Sequence, residues 1–491
     1  VKPGDKIPVD GKVIGGESYV DESMINGEPI PKVKKDGEEV FAGTINQDGV
    51  LIISALKIGS ETVLSNIIRL VEKAQSSRPP VQKFANTIVS YFIPVILTIA
   101  IIVFCIWYFV LGATLLFSLT CLISILVVAC PCALGLATPT AVTVGVGRAA
   151  EFGILIKNGD TLENAGQIDV AAFDKTGTIT EGKPEVDDVI AYGISEDELI
   201  TLAASVEQNS NHPIAKAIVR KAEGFELLNT VDFENVTGKG IKAAIDGKTV
   251  LAGNKSLIES NDVEISDDIL DTFNNLENQS KTIILLAVDE HVRGILSLSD
   301  KVKQNSKRTI EELHKMGVET YMLTGDNEST ALSVAEEVGI DNVKAGILPE
   351  NKLDIVKDIQ SNGSKKVLFT GDGINDAPAL TQADIGVAMG NGTDIAMESG
   401  DVVVMEGDLE NVVAAVQFSK KVMRRIKENI FWAFAYNSIL IPVAAGVLYP
   451  NFGIMFKPEL AGLAMALSSV TVISLSLLLK RYVPPIKKAK N

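Results

Sequence analysis

The chain has 491 residues, a formal net charge of −17 and a hydrophobic fraction of 46%. No basic face stands out, which excludes nucleic-acid binding driven by phosphate contacts, and the length suits about three or more domains. The apolar content gathers in uncharged stretches and is not spread through one large core.

Residues 1–60 are rich in Gly and in short β-type runs, such as Lys12-Val13-Ile14 and Val50-Leu51-Ile52-Ile53, which predicts a small β domain. The chain opens on Val1 inside strand-like sequence and shows no signal peptide, so it reads as lacking upstream residues. Residues 61–83 read as helix leading into a membrane. No residue of 84–147, 429–456 or 460–479 is charged. About 20 apolar residues cross a bilayer, so four transmembrane helices are predicted, at roughly 87–110, 115–144, 429–449 and 460–479. Arg78, Lys83, Arg148 and Lys157 flank the first pair; Lys420, Lys421, Arg424, Arg425 and Lys427 precede the second, and Lys480, Arg481, Lys487 and Lys488 follow it. Basic flanks face the cytoplasm, so the expected placement is multi-pass in a cell membrane with the soluble segments cytoplasmic. The four cysteines, 105, 121, 130 and 132, all lie in the first uncharged run and do not form a secreted disulfide framework.

Residues 148–185 and 300–410 alternate apolar strands with helical patterns, as a parallel α/β sheet does. Between them, 186–299 reads as an insert, with a helix at 195–208, then Asn211-His212-Pro213, and a β-type run at 281–288.

Three segments carry the soluble chemistry. The run Val170-Ala171-Ala172-Phe173 delivers Asp174 to the end of a predicted strand, followed by Lys175-Thr176-Gly177-Thr178. A carboxylate there can attack the γ-phosphate of ATP and hold it as an acyl phosphate; Lys175 offers charge, and Thr176 and Thr178 offer donors. Thr324-Gly325-Asp326 follows a second strand, and Thr370-Gly371-Asp372-Gly373-Ile374-Asn375-Asp376 a third. Ligands collect at the carboxyl ends of strands in such sheets, so Asp174, Thr324, Asp372, Asn375 and Asp376 are expected to converge. Asp174, Asp372 and the carbonyl of Thr176 are the expected Mg²⁺ ligands. Lys352 is placed to pair with Asp174 or with the phosphoryl group. Singly, each acid reads as a solvated loop residue; their order along the chain argues otherwise.

In the membrane run, Pro131 removes a helix hydrogen bond between Cys130 and Cys132, which predicts a kink with both thiols turned toward a cavity. Thiolates select soft ions such as Cu⁺, or Zn²⁺ and its heavier relatives. Cys105 and Cys121 read as small buried hydrophobes. Tyr436-Asn437 and Met465 to Ser469 supply further candidates, each weak alone.

Taken together, Asp-Lys-Thr-Gly-Thr, Thr-Gly-Asp and Gly-Asp-Gly-x-Asn-Asp, with spans before and after, resemble the P-type ATPases across essentially the whole chain. The resemblance implies a fold that is α/β plus membrane α-helical, with a haloacid-dehalogenase-like P domain, an inserted α/β nucleotide-binding N domain and a β-rich actuator (A) domain. It implies an incomplete A domain at 1–68, a helical linker at 69–83, a transmembrane hairpin at 84–147, P-domain parts at 148–187 and 301–412, an N domain at 188–300, a linking helix with two spans at 413–480 and a basic tail at 481–491. It implies autophosphorylation of Asp174, with Lys175, Thr176, Thr324, Asp326, Lys352, Asn375 and Asp376 around it. The actuator loop of the family, Thr-Gly-Glu, matches Asn26-Gly27-Glu28; Asn26 departs from the pattern, while Glu28 is retained and is expected to position the attacking water. Cys130, Cys132, Tyr436, Asn437, Met465 and Ser469 match the Cu⁺-transporting subgroup. Glu207, His212, Gly238 and Gly240, with Thr324 and Gly325, match its nucleotide contacts. The expected activity is ATP-driven Cu⁺ export with Mg²⁺ as cofactor and a cytosolic copper chaperone as possible donor. Divalent exporters of this class are expected to carry a lysine in the third span and an aspartate in the fourth, and residues 429–456 and 460–479 have neither. The alternatives are a Zn²⁺ or Cd²⁺ exporter and a membrane-tethered phosphatase without transport.

Overall fold

A computed structural model describes the chain except residues 23–30, 66–67, 70–71, 73–78, 211, 237, 279–280, 327, 349–350, 373–375, 391–398 and 489–491. It divides into two compact units, one formed by 1–169, 363–368 and 380–491, the other by 170–362 and 369–379.

The first unit begins with two small antiparallel sheets. Asp10–Gly15 lies between Glu39–Val40 and Ile52–Lys57, and Ser18–Asp21 lies between Lys32–Lys34 and Ile45–Asn46. Alternate residues of these strands point inward, and Ile7, Val13, Val20, Val40 and Leu51 form their shared core. The unit also holds the parallel strands Ile385–Met389 and Val402–Val404, the latter paired antiparallel with Ile154–Ile156.

Its long helices are Pro80–Cys105, Leu115–Val128, Cys132–Ala150, Glu410–Ala444 and Pro458–Leu477. Among the described residues, three stretches are long and apolar enough to cross a membrane: Pro80–Val110, Leu115–Ala150 and Pro458–Arg481. The second of these is broken at 129–131, where Pro131 has no N–H to give, so the expected kink is an interruption between two helices. The expected third span, 429–449, is the C-terminal part of the 35-residue helix Glu410–Ala444. That helix stops earlier than expected because Gly446 adopts the left-handed conformation (φ +86°) that closes a helix end. The Trp107 indole N–H donates to the Ala445 carbonyl at 2.9 Å, and a Cβ on Gly446 would lie 3.1 Å from the same ring. The residues after 480 fold back on the start of this helix. Ile486 is buried and its N–H donates to Gln417 Oε1, the Tyr482 ring meets Phe418, and Lys487 pairs with Asp408 at 2.5 Å and Glu410 at 3.6 Å.

The second unit is built on the parallel strands Asn342–Lys344, Glu319–Leu323 and Val170–Asp174. Val170–Asp174 is buried along its whole length, as a parallel strand covered on both faces should be. From it the chain runs into a six-stranded antiparallel sheet, in the order Val231–Val236, Gly240–Ile245, Lys248–Gly253, Thr282–Val288, His291–Val302, Thr180–Ala191. The last two are the strands by which the insert leaves and rejoins the parallel part. Helices Glu196–Glu207 and Pro213–Lys221 cover one face around Leu199, Ala203, Ile218 and Leu286. Lys255–Glu259 and Asp267–Asn278 cover the other around Leu257, Ile269, Leu285 and Ile295. With both faces covered, Thr282–Val288 reads as a continuous apolar run and does not alternate.

Candidate functional site

Asp174 ends its strand beside Leu323, in parallel register, so the loops that follow both strands leave from the same edge. The Lys352 ammonium donates to Asp174 Oδ1 at 2.6 Å and to Asp376 Oδ1 at 2.7 Å, and none of the three side chains is more than 10% exposed. Asp174, Asp372 and Asp376 can bring carboxylate oxygens within 4.8 Å of one another. Burial, then the neighbouring Asp376, pushes the Asp174 carboxyl up to about 7 against the pull of Lys352. Burial raises Asp372 as well. For Lys352, burial works against the charged ammonium, but Asp174 and Asp376 override it and hold the amine protonated.

Gly177 has φ +73°, and a Cβ there would stand 1.9 Å from Asp372 Oδ2, so only glycine lets the loop pass the second carboxylate. Lys175 pairs with Asp326, whose N–H donates to Thr324 Oγ1 at 3.1 Å. Thr176 is exposed at the same loop. The hydroxyls of Thr178 and Thr370 are fully buried, and no hydrogen-bond partner is recorded for them among the described residues. A cluster of hard carboxylate oxygens fits Mg²⁺. Asn375, Glu28 and Asn26 lie outside the described residues.

Three side chains at this edge escaped the sequence reading. The Lys303 ammonium donates to the Gly177 carbonyl at 2.7 Å, and the Thr180 hydroxyl donates to Asp300 Oδ2 at 2.5 Å, with the Lys175 carbonyl 3.0 Å away as the alternative acceptor. Both Asp300 and Lys303 sit where the insert rejoins the parallel part, and that position was the signal available.

Glu207, His212, Gly238 and Gly240 line one cavity of about 350 Å³, together with Asn235 and Asn254. Thr324 and Gly325 are not among its lining residues. Gly240 has φ +143°, and a Cβ there would lie 2.3 Å from the Ala252 carbonyl oxygen. Asn254, also missed, fixes this loop: its amide donates to the Gly238 carbonyl at 3.0 Å and its N–H to the Lys239 carbonyl at 2.9 Å. The Ile214 N–H donates to His212 Nδ1 at 3.3 Å, capping the next helix, so the proton of the neutral ring sits on Nε2. Glu207 is 5% exposed, and burial pushes its carboxyl up to about 7.

The raised carboxyl gives a pH prediction. The native state holds the Glu207 proton more tightly than the unfolded chain, so its ionisation erodes stability as pH rises from about 4.5 to about 7 and no further. Glu207→Gln is expected to gain stability over the wild type across that window, by about 3 kcal/mol at most, and to run parallel to it above. Thermal melts of both proteins from pH 4.5 to 8.5 without nucleotide check this; a constant difference refutes it.

In the first unit, Cys130 and Cys132 flank the helix break with Cα atoms 5.5 Å apart and their sulfurs joined as a disulfide. Metal ligation by this pair therefore applies to its reduced form. The buried Asn437 amide donates to the Cys130 carbonyl at 3.5 Å. Tyr436, Met465 and Ser469 are half-buried on the two neighbouring helices, and among the described residues no contact of theirs with the cysteines is recorded. About two turns nearer the basic flank, Asn429 is fully buried and donates to Ser476 Oγ at 2.8 Å and to the Ala137 carbonyl at 3.5 Å.

Residues 168–384 match the haloacid dehalogenase-like hydrolases, and residues 1–72 match the P-type ATPase actuator domain. A solved structure of a zinc-transporting PIB-type ATPase in the E2·Pi state superposes with a TM-score of 0.72 at 34% identity, over 98% of this chain and 78% of that one. This chain belongs to the P-type ATPases. It is 53% identical over 490 residues to a probable copper-exporting P-type ATPase of Archaeoglobus fulgidus and 46% identical over 488 residues to copper-transporting ATPase 1 of Rhizobium meliloti. It covers 99% of itself in both matches but only 60% and 59% of those relatives' lengths.

Proposed function

We propose that this P-type ATPase chain forms the phosphoryl-transfer and membrane core of an ATP-driven Cu⁺ exporter. The observation that carries the reading is Asp174 itself, held at a strand end between Lys352 and two further carboxylates. ATP places its base in the cavity lined by Glu207, His212, Gly238 and Gly240. Asp174 attacks the γ-phosphorus; an acyl-phosphate bond forms, the bond to the β–γ bridging oxygen breaks, and ADP leaves. Mg²⁺, when bound by Asp174, Asp372 and the Thr176 carbonyl, neutralises phosphate charge. Lys352 holds the transferred group, Thr324, Gly325, Asp326 and Lys175 support the phosphates, and Asn375 and Asp376 complete the rim. Glu28 orients the water that later attacks the acyl phosphate.

Cu⁺ is the cargo, taken by reduced Cys130 and Cys132 with Tyr436, Asn437, Met465 and Ser469 near them. The names of the two relatives, one copper-exporting and one copper-transporting, and the absence of Lys from 429–456 and of Asp from 460–479 support Cu⁺. The expected setting is a cell membrane, with four spans including 429–444, soluble segments in the cytoplasm and a cytosolic copper-binding protein as donor. The likeness to a zinc-transporting structure favours Zn²⁺ or Cd²⁺ as the second reading.

Phosphorylation of the full chain from labelled ATP separates the two. Cu⁺ with reductant is expected to stimulate it and Zn²⁺ not to, and Cys130→Ser with Cys132→Ser is expected to raise the Cu⁺ concentration for half-stimulation about 100-fold or more. Stimulation by Zn²⁺ alone overturns the copper reading, and stimulation indifferent to both serines overturns transport through this pair.

A further inference from the structure

A cavity of about 530 Å³ in the first unit lies apart from the sites above. Lys420, Arg424 and Lys427 line it from the helix Glu410–Ala444, and Glu163 and Gln167 line it from the end of helix Gly159–Ala165 and the turn beyond. The spacing of the three cations, i, i+4 and i+7, puts them on one stripe of the helix, and all three are exposed.

Two carboxylates, Glu163 and Glu428, also line the cavity, and both accept hydrogen bonds. Glu428 accepts from Arg424 Nε at 2.9 Å and from Arg425 Nη1 at 3.0 Å. Glu163 accepts the Val81 N–H at 2.8 Å. Gln167 takes the Lys366 ammonium on its carbonyl oxygen at 3.1 Å, which leaves its amide N–H groups as donors. For Lys420 and Lys427 no ion pair is recorded among the described residues. The lining thus carries three cations against two carboxylates, a net positive charge in which Lys420 and Lys427 are the cations with no recorded ion pair, and an amide donor stands on its wall.

Its place along the chain says what it meets. After Glu428 no residue is charged until Lys457, so the stripe ends where the uncharged part of the helix begins. From Lys427 back to Lys420 is about 10 Å along the axis, close to the depth of the headgroup layer plus the reach of a lysine stem. The bond from Val81 to Glu163 fixes the start of a second apolar helix, Pro80–Cys105, to the same wall. Lys83 is exposed at that start.

We propose that this pocket binds the phosphate headgroup of an anionic glycerophospholipid of the cytoplasmic leaflet, held by Lys420, Arg424 and Lys427. The inference rests on the proposed entry of 429–444 into the bilayer. It makes the foot of the long helix a place where the charge of the surrounding lipid is read.

The test uses the full chain in vesicles of phosphatidylcholine with increasing phosphatidylglycerol, reading binding of a fluorescent phosphatidylglycerol. Lys420→Gln with Lys427→Gln is expected to lower affinity about thirtyfold. Lys480→Gln with Arg481→Gln removes equal charge beside another apolar helix and is expected to change it less than threefold. Equal losses in both pairs, or no preference for the anionic lipid, overturn the proposal. Displacement of the lipid by millimolar glycerol phosphate in lipid-free detergent overturns the lipid as occupant in favour of free phosphate. The membrane reading is checked separately by brominated acyl chains in a Trp107→Phe background, where Trp432 is the remaining tryptophan. Without quenching, the bilayer placement fails; with quenching and no anionic preference, only the pocket does.

Discussion

Replacing Lys352 by methionine is expected to destabilise the second unit by about 3–5 kcal/mol and to abolish phosphorylation of Asp174. The ammonium sits between two carboxylates at 2.6 and 2.7 Å in a place where water barely reaches. Methionine keeps the stem and its packing but leaves Asp174 and Asp376, with Asp372 adjoining, facing one another without the cation that bridges them. Like charges so close cannot all stay ionised. For a unit of about 200 residues this loss corresponds to a fall of roughly 8–15 °C in melting temperature. Differential scanning calorimetry in EDTA measures it, and adding Mg²⁺ is expected to restore part of the loss but none of the phosphoenzyme. A melting temperature within a degree of wild type means that the three-carboxylate cluster does not depend on this lysine.

Asp174→Asn is expected to act in the opposite sense on stability. Burial and Asp376 already disfavour the ionised Asp174, so a neutral amide of the same shape removes a cost, while Lys352 keeps Asp376 as partner. Stability is expected to stay level or rise by about 1 kcal/mol. The change removes the proposed nucleophile, so labelled phosphoenzyme is expected to fall by about 10³-fold or more. Melts and acid-quenched phosphorylation on the same preparation check both halves. Retained labelling places the acyl phosphate on another residue; a loss of several kcal/mol means the carboxylate is needed to hold the loop.

The parts of this molecule that were legible beforehand share one property: the signal was local. Apolar runs ending in Asp-Lys-Thr, Thr-Gly-Asp and Gly-Asp-Gly announce strands with acidic loops at their carboxyl ends, and Asp174, Asp372 and Asp376 do come together. Pro131 cannot donate a helix hydrogen bond, and the helix breaks there. The illegible parts depend on register between distant segments. Asp300 and Lys303 reach the Asp174 loop only because His291–Val302 pairs with Thr180–Ala191 across more than a hundred residues. Asn254 fixes the glycine loop only because the strand before it, Lys248–Gly253, lies beside the one starting at Gly240. Nor does composition reveal that 410–444 is one helix ended by Gly446 against Trp107, since that end is set by a partner far away in sequence.

That single helix has a mechanical consequence. It is gripped at Asn429, whose amide donates to Ser476 Oγ and the Ala137 carbonyl, and about 10 Å nearer its start by Val422 against Gly145, where a Cβ would find only 2.3 Å. At about 1.5 Å per residue, Glu410 lies about 28 Å to one side of Asn429 and Asn437 about 12 Å to the other. Its first ten residues, Glu410–Ser419, are all buried, and Lys487 is paired at Glu410, so the start of the helix is anchored as firmly as Asn429 is. A rigid rod held at both places carries a displacement of its start along its length to Asn437, whose amide meets the Cys130 carbonyl.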